Sequence, residues 1–372
     1  MGFHIVKREN CPLWKRCCFY LGAVIIALVL GAVLLLSLGV DPVAYYIRMF
    51  TMGTVGNKIA YKVFINYLND FVPLALVSVA LSLAFKMRFW NIGGEGQFIL
   101  GAIAAAFVAF KAGPLLPDGV TLILMCLAAM LVAGLYGLFV AALKVKFGTN
   151  ETLMTLMLNY VALYVLYFLS ETKSDWNFFL SDESVRPVFE SFADIVAFPS
   201  IPMGGKFALN ICVVLTFVLG ALVYVYLKYT KHGYEISVVG DSTGTAQYAG
   251  MKVKGIVLRT VFLSAALIGL AAAFKAGTAG VLSTAFTDDV GWTGIIVAWL
   301  SQLNTAVIFG VSALISMLHY GSTVAAATFS QVDSSFANML QGAILFLVLA
   351  ADFYTRFRVV PVRKGGNANG NG

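Results

Sequence analysis

Residues 71–110 read FVPLALVSVALSLAFKMRFWNIGGEGQFILGAIAAAFVAF. Two apolar runs, Phe71–Phe85 and Gln97–Phe110, flank a basic, aromatic and glycine-rich hinge that carries one carboxylate, Glu95. A soluble domain has no easy way to hide that much apolar surface. A chain in a bilayer has a reason to break a helix there, because non-helical backbone at membrane depth is tolerated where it is buried in protein or faces a polar cavity. The hinge therefore predicts a broken helix inside a membrane protein.

The rest of the chain agrees. Of its 372 residues 60% are hydrophobic and 12% charged, with mean hydropathy +0.87, whereas soluble domains average about 45–50% apolar and about 25% charged. At about 20 apolar residues per crossing, ten spans are expected. They lie near Cys18–Val40, Phe71–Phe85, Gln97–Phe110, Gly119–Leu143, Leu153–Leu169, Phe207–Leu227, Ile256–Phe274, Gly291–Leu303, Ala306–His319 and Phe336–Ala351. The third, eighth and ninth are short enough to be re-entrant or broken. The expected fold is thus an all-α polytopic membrane protein: an N-terminal segment 1–17, a transmembrane domain 18–351, and a tail 352–372 whose KGGNANGNG end has the composition of a disordered segment.

Ten spans put both termini on one side, and Lys7, Arg8, Lys15 and Arg16 make that side the cytoplasm. With that orientation seventeen of the 25 Lys and Arg fall inside and eight outside. The net charge of +7 is then a topology signal, and no nucleic-acid partner is expected. The first apolar run is too long for a signal-peptide core and lacks a small-residue cleavage site, which predicts a retained helix. The five cysteines lack metal-type or thioredoxin-type spacing and fall in the bilayer or the cytoplasm, so structural disulfides are not expected.

Three connecting segments stand out. Asp41–Asp70 mixes tyrosines and phenylalanines with Arg48, Lys58 and Lys62, as an outer interfacial segment does. The external loop 171–206 holds six acidic residues against three basic ones. The internal loop 228–254, KYTKHGYEISVVGDSTGTAQYAGMK and its flanks, is poor in charge for a linker and is read as a docking surface with one short helix. A weak internal repeat pairs Gly93–Gly94–Glu95–Gly96 with Gly291–Trp292–Thr293–Gly294, entering from opposite sides, in the pattern of broken helices that meet at a solute site.

Catalytic chemistry finds no support. There is no phosphate-binding loop, no His-x-x-x-His pair and no nucleophile elbow among the residues. Catalytic and metal-binding sets are therefore expected to be absent, and so is any cofactor in this chain. The hinge Asn91–Gln97 supplies a helix N-terminus suited to an anion, a polar solute or its own Glu95 as a cap. Asp288–Asp289, beside Phe286 and Trp292, suit sugar hydroxyls and a stacked ring. Asn159 and Gln341 are single polar residues within spans, suited to bridging helices.

These residues resemble the permease subunits of bacterial ABC importers for ribose-type sugars, nucleosides and branched-chain amino acids. The likeness is carried by Pro73–Leu74 and Asn91–Ile92–Gly93–Gly94–Glu95–Gly96–Gln97 to Gly101–Ala102, near the family's Asn-Ile-Gly-x-Glu-Gly-Gln. Gly148–Thr149–Asn150–Glu151 with Met157–Leu158–Asn159–Tyr160 is similar to the nucleoside branch. Gly233–Tyr234 to Gly240 and Ala246–Gln247–Tyr248–Ala249–Gly250–Met251 are similar to the loop that meets the ATPase, and Gly291–Ala298 fits Gly-Phe-x-Gly-Ile-Ala-Val-Ala. The chain departs from the family at Ser237, Ser242 and Ser301–Gln302, where arginine, asparagine and Gly-Arg are common.

The resemblance implies alternating access by two permease chains, the same or sister chains, within membrane lipid. Two ATP-binding cassette ATPase domains would dock on 228–254, and an external solute-binding lipoprotein would deliver a small polar solute, a nucleoside before a ribose-type sugar. It implies coupling residues Gly240, Ala246, Tyr248 and Gly250, and pathway residues Asn91, Glu95, Asn159 and Trp292. The competing reading, a stand-alone secondary transporter or channel, calls for ion-coupling carboxylates deep in the spans, whereas Glu95, Asp288 and Asp289 sit near span ends.

Overall fold

Several helices begin where the sequence supplies a cap. Asp41 accepts the Val43 N–H with Pro42 at the first helical position, Asn150 accepts from Thr152 and Leu153, and Asn210 accepts from Cys212. Each of these side chains ties down an amide that the first helical turn leaves without a partner. The computed structural model describes residues 3–7, 12–55, 59–204, 207–329, 331–332 and 334–361. The elements run β1 (Phe3–Lys7), α1 (Leu13–Ser37), α2 (Pro42–Phe50), α3 (Ala60–Lys86), α4 (Gly94–Ala112), α5 (Asp118–Phe147), α6 (Glu151–Glu171), β2 (Ser200–Gly204), β3 (Phe207–Asn210) and α7 (Ile211–Tyr229). They continue with α8 (Lys231–Asp241), α9 (Thr243–Tyr248), α10 (Val253–Ala279), α11 (Val290–Leu300), α12 (Thr305–Thr328), α13 (Ser334–Arg356) and β4 (Phe357–Pro361).

Among the described residues nine helices are long and apolar enough to cross a membrane, and α11 is a tenth, shorter apolar helix. The protein is an all-α polytopic membrane protein. Several boundaries differ from expectation. The second span begins at Ala60, eleven residues before Phe71, so the expected outer interfacial segment is in part a helix entering the bundle; its Tyr61, Lys62, Asn69 and Asp70 mask it in a hydropathy reading. Pro73 lies inside that helix. The ninth span is a full 24 residues, leaving only α11 short. The internal loop is mostly helix: Lys228 and Tyr229 finish α7, α8 was not expected, and the one short helix expected there is α9, capped by Ser242. The expected disordered end after Arg363 lies outside the described residues.

The chain divides into two units. The first is built from both ends, Met1–Gly53 and Leu318–Gly372. In it α1 packs along α13, β1 pairs antiparallel with β4 from Phe3↔Pro361 to Lys7↔Phe357, and Tyr45, Met49, Leu35, Phe336 and Leu340 form a core. The strand pair brings the two ends of the chain together, as termini on one side require.

The second unit, Thr54–Met317, holds the hinge. Its centre is α10 against α5, α3 and α4. Lipid gives helices no hydrophobic reason to associate, so close packing of small residues and hydrogen bonds between helices must hold them. A Cβ on Gly101 would lie 2.8 Å from the Gly269 Cα, and the Ser264 hydroxyl donates to the Ala80 carbonyl at 2.7 Å. The external segment is tied to the end of α4 by Phe110, whose ring meets Phe178, Phe179 and Phe192 at 5.4–6.1 Å. Trp176 stacks on Phe168 of α6.

Candidate functional site

Once α3 ends at Lys86, the chain does not stay at the surface. Residues 87–93 turn back into the bundle, so that Gly94, the first residue of α4, faces Leu81, whose methyl would lie 3.5 Å from a Cβ at that position. Leu81 is five residues up α3 from its end, about 7 Å at 1.5 Å per residue. The helix break is therefore inside the protein, with Asn91 0%, Gln97 1%, Asn159 4% and Glu95 7% exposed.

Backbone broken at that depth needs partners, and three side chains supply them. Asn91 Oδ1 accepts the Gly93 N–H at 3.2 Å, and its amide exchanges two bonds with Gln97 at 3.0 and 3.1 Å. Asn159, arriving on α6, accepts the Gly96 N–H at 2.8 Å and donates to the Ile92 carbonyl at 2.8 Å. One turn earlier on α6, the Thr155 hydroxyl accepts the Ile92 N–H at 3.2 Å.

Glu95 does something the sequence did not foretell. It makes no cap on its own helix; its Oε2 accepts the Gly291 N–H of α11 at 2.8 Å, from 196 residues away. A Cβ on Gly94 would lie 3.8 Å from the Gly291 Cα, and a Cβ on Gly291 would sit 2.5 Å from the Glu95 Cα. Only glycine allows so close an approach. The starts of α4 and α11 thus meet at one carboxylate. Each helix start carries roughly +0.5 elementary charge, so two of them offset about one negative charge in a buried place.

The four expected pathway residues are thus gathered: Asn91, Glu95 and Asn159 share the junction, and half-buried Trp292 follows Gly291. Sequence reasoning placed Gln97 in the hinge but missed Thr155. Thr155 stands four residues before Asn159, hence on the same helical face, and that spacing was the available signal. Asp288, read as a sugar contact, forms an ion pair with Lys275 at 2.6 Å, and Phe286 is buried against Phe98. Among the described residues no group of His, Cys, Asp and Glu is placed to hold a metal.

The expected coupling residues lie on α8, α9 and the turn after them. Gly240 is buried against the end of α3, where a Cβ would run into the Lys86 carbonyl oxygen. Ala246 is buried, Tyr248 is 95% exposed, and Gly250 has a left-handed φ of 72° that turns the chain into α10. Arg259 of α10 braces α8 from below, donating to Glu235 at 2.9 Å and lying 2.7 Å from His232 Nδ1. The Arg259 hydrogen bond holds the Glu235 carboxyl below the usual range, against a smaller upward push from burial. Beside this brace Lys231, Tyr234, Gly250, Lys252 and Arg259 line a cleft of 590 Å³.

A polytopic apolar chain with a sealed helix break inside and short helices on one face has the layout of a membrane permease. Residues 63–349 match the family model described as Branched-chain amino acid transport system / permease component, and the chain belongs to that family. It is 30% identical to the guanosine ABC transporter permease protein of Bacillus subtilis over 92% of this chain and 96% of that one. It is 27% identical to the glucose ABC transporter permease protein of Haloferax volcanii over 95% and 92% of the two chains. It is 23% identical to the nucleoside ABC transporter permease protein of Lactococcus lactis over 88% of each. The protein is a permease subunit of an ABC importer, a multi-pass protein of the cytoplasmic membrane. The family is one of transport subunits rather than enzymes, and its permeases work with ATPase and solute-binding components.

Proposed function

We propose that the chain carries nucleosides inward. The observation that carries this reading is the end-to-end match to a guanosine permease, 92% of this chain on 96% of that one, with a nucleoside permease also matched along most of its length. Two ATP-binding cassette domains dock on α8 and α9, with Tyr248 as the projecting contact and Gly240, Ala246 and Gly250 shaping the surface that presents it. A second permease chain completes the pathway, an external solute-binding lipoprotein supplies the solute, and this chain carries no cofactor of its own. Asn91, Glu95 and Asn159 hold the helix break, and Trp292 beside it offers a ring face to a base.

The test is uptake of radiolabelled purine and pyrimidine nucleosides into cells with and without the gene, with ribose and glucose as competitors. Loss of nucleoside uptake that neither sugar competes for is the expected result. A sugar is the second reading, favoured by the match to a glucose permease along 95% of this chain; lost sugar uptake with intact nucleoside uptake would move the solute there.

A further inference from the structure

The helix α11 is bracketed by strained backbone. Asp288 and Asp289 precede it with φ of 46° and 55°, and Gln302 and Leu303 follow its last turn with φ of 51° and 58°. Left-handed residues other than glycine are uncommon, pairs of them more so, and such strain persists where the surrounding structure imposes it and a function uses it.

Between those doublets each end of α11 meets the hinge that joins α3 to α4 through contacts that can break. At its start Glu95 accepts the Gly291 N–H, with the Thr287 hydroxyl beside the same carboxylate. At its far end the Trp299 ring stacks on Trp90 at 5.1 Å and 17°, and packs on Phe85 at 5.5 Å. Along its length it runs beside α3, with Gly294 against Val77, Ser78 and Leu81. The end by the tryptophans has donors to spare: Trp299 Nε1 and Ser301 Oγ are buried and make no hydrogen bond. Buried donors of that kind are few in native proteins and call for an explanation; a second position of the helix that pairs them is one.

We propose that α11 is the moving gate of this permease, turning as a unit on the two left-handed doublets, with Glu95 as the positioning residue that latches its start and Trp90 as the latch on its end. The nucleotide-driven tilt of the helices releases both latches, because Glu95 and Trp90 ride on the α3–α4 hinge while α11 joins the chain on either side through its strained turns. The inference rests on the permease class and not on the solute.

Hydrogen–deuterium exchange of residues 290–303 tests it, in the assembled permease–ATPase complex without solute, resting and trapped with ATP and orthovanadate. In the wild type the trapped state should exchange at least tenfold faster at the start of α11, where the Gly291 N–H loses Glu95, while α5 stays unchanged. Glu95→Ala should exchange in the resting state as the wild type does when trapped. Glu95→Gln, which keeps an acceptor oxygen for Gly291, should stay protected. A purely structural role would leave the wild type independent of nucleotide. Equal exchange of α11 in both wild-type states, or wild-type protection in Glu95→Ala, overturns the proposal. Should Glu95→Ala raise exchange in α5 as well, Trp90→Ala decides: faster exchange confined to 299–303 supports the gate, and no change there overturns it.

Discussion

Two regions of the second unit answer the membrane differently. At the hinge between α3 and α4, side chains from α4 and α6 close on broken backbone, and the buried Glu95 is spent on the N–H of a distant helix. At α8 and α9 the chain is braced from beneath by Gly240 and Arg259, and its outer face is left open, with Tyr248 95% and Tyr234 64% exposed. The first region is held by its own chain; the second, on the function proposed above, is held by the ATPase. An importer needs both, because force applied at the cytoplasmic face moves a solute only if the helix break inside transmits it.

The contrast breaks most severely at Gly291. Gly291→Val places a side chain against the Glu95 backbone, an overpacking expected to destabilise the hinge by about 3 kcal/mol; the check is solute uptake, which should fall more than tenfold, with reduced accumulation in the membrane. Next comes Asn159→Ala, which leaves the Gly96 N–H and the Ile92 carbonyl unpaired. Hydrogen bonds between membrane helices are worth less than their burial suggests, so a loss of about 1–2 kcal/mol is expected, read as a melting point several degrees lower in detergent.

The outer region sharpens the comparison with smaller effects. Glu235→Gln weakens a partly exposed pair worth about 1 kcal/mol or less. Because the folded carboxyl sits below its usual range, the brace is whole at neutral pH and is lost only as pH falls through that depressed value; thermal melts of wild type and variant should therefore converge in acid. Tyr248→Ala, at a fully open position, should change the melting point least, by an amount within about 0.5 kcal/mol. Gly240→Asp is the wrong probe of docking, since its side chain meets the Lys86 carbonyl before it meets any partner.

The spans were legible because runs of apolar residues report a bilayer directly, and the hinge was legible because three glycines with Asn91, Glu95 and Gln97 interrupt such a run. What the residues did not disclose is long-range. Nothing near Glu95 in sequence points to Gly291, and its own helix start was the local choice for a cap. The entry of α3 at Ala60 was hidden by polar and aromatic residues that lie on a helix shielded by neighbours. The short helix α9 was legible as a small-residue stretch, whereas α8 was hidden for the opposite reason: it is short, and two of its four buried positions, Gly233 and Gly240, are glycines, so apolar periodicity has little to report. The strained doublets around α11 leave no trace in composition, because Asp288, Asp289, Gln302 and Leu303 are ordinary residues in unusual conformations.

The division between a region that holds itself and a region held by a partner is tested most directly by purifying Tyr248→Ala and Asn159→Ala permeases with their co-expressed ATPase and melting each. Tyr248→Ala is expected to melt as the wild type does while retaining at least fivefold less ATPase, and Asn159→Ala to melt several degrees lower while retaining it in full. Full ATPase retention by Tyr248→Ala, or its release by Asn159→Ala, would contradict that division.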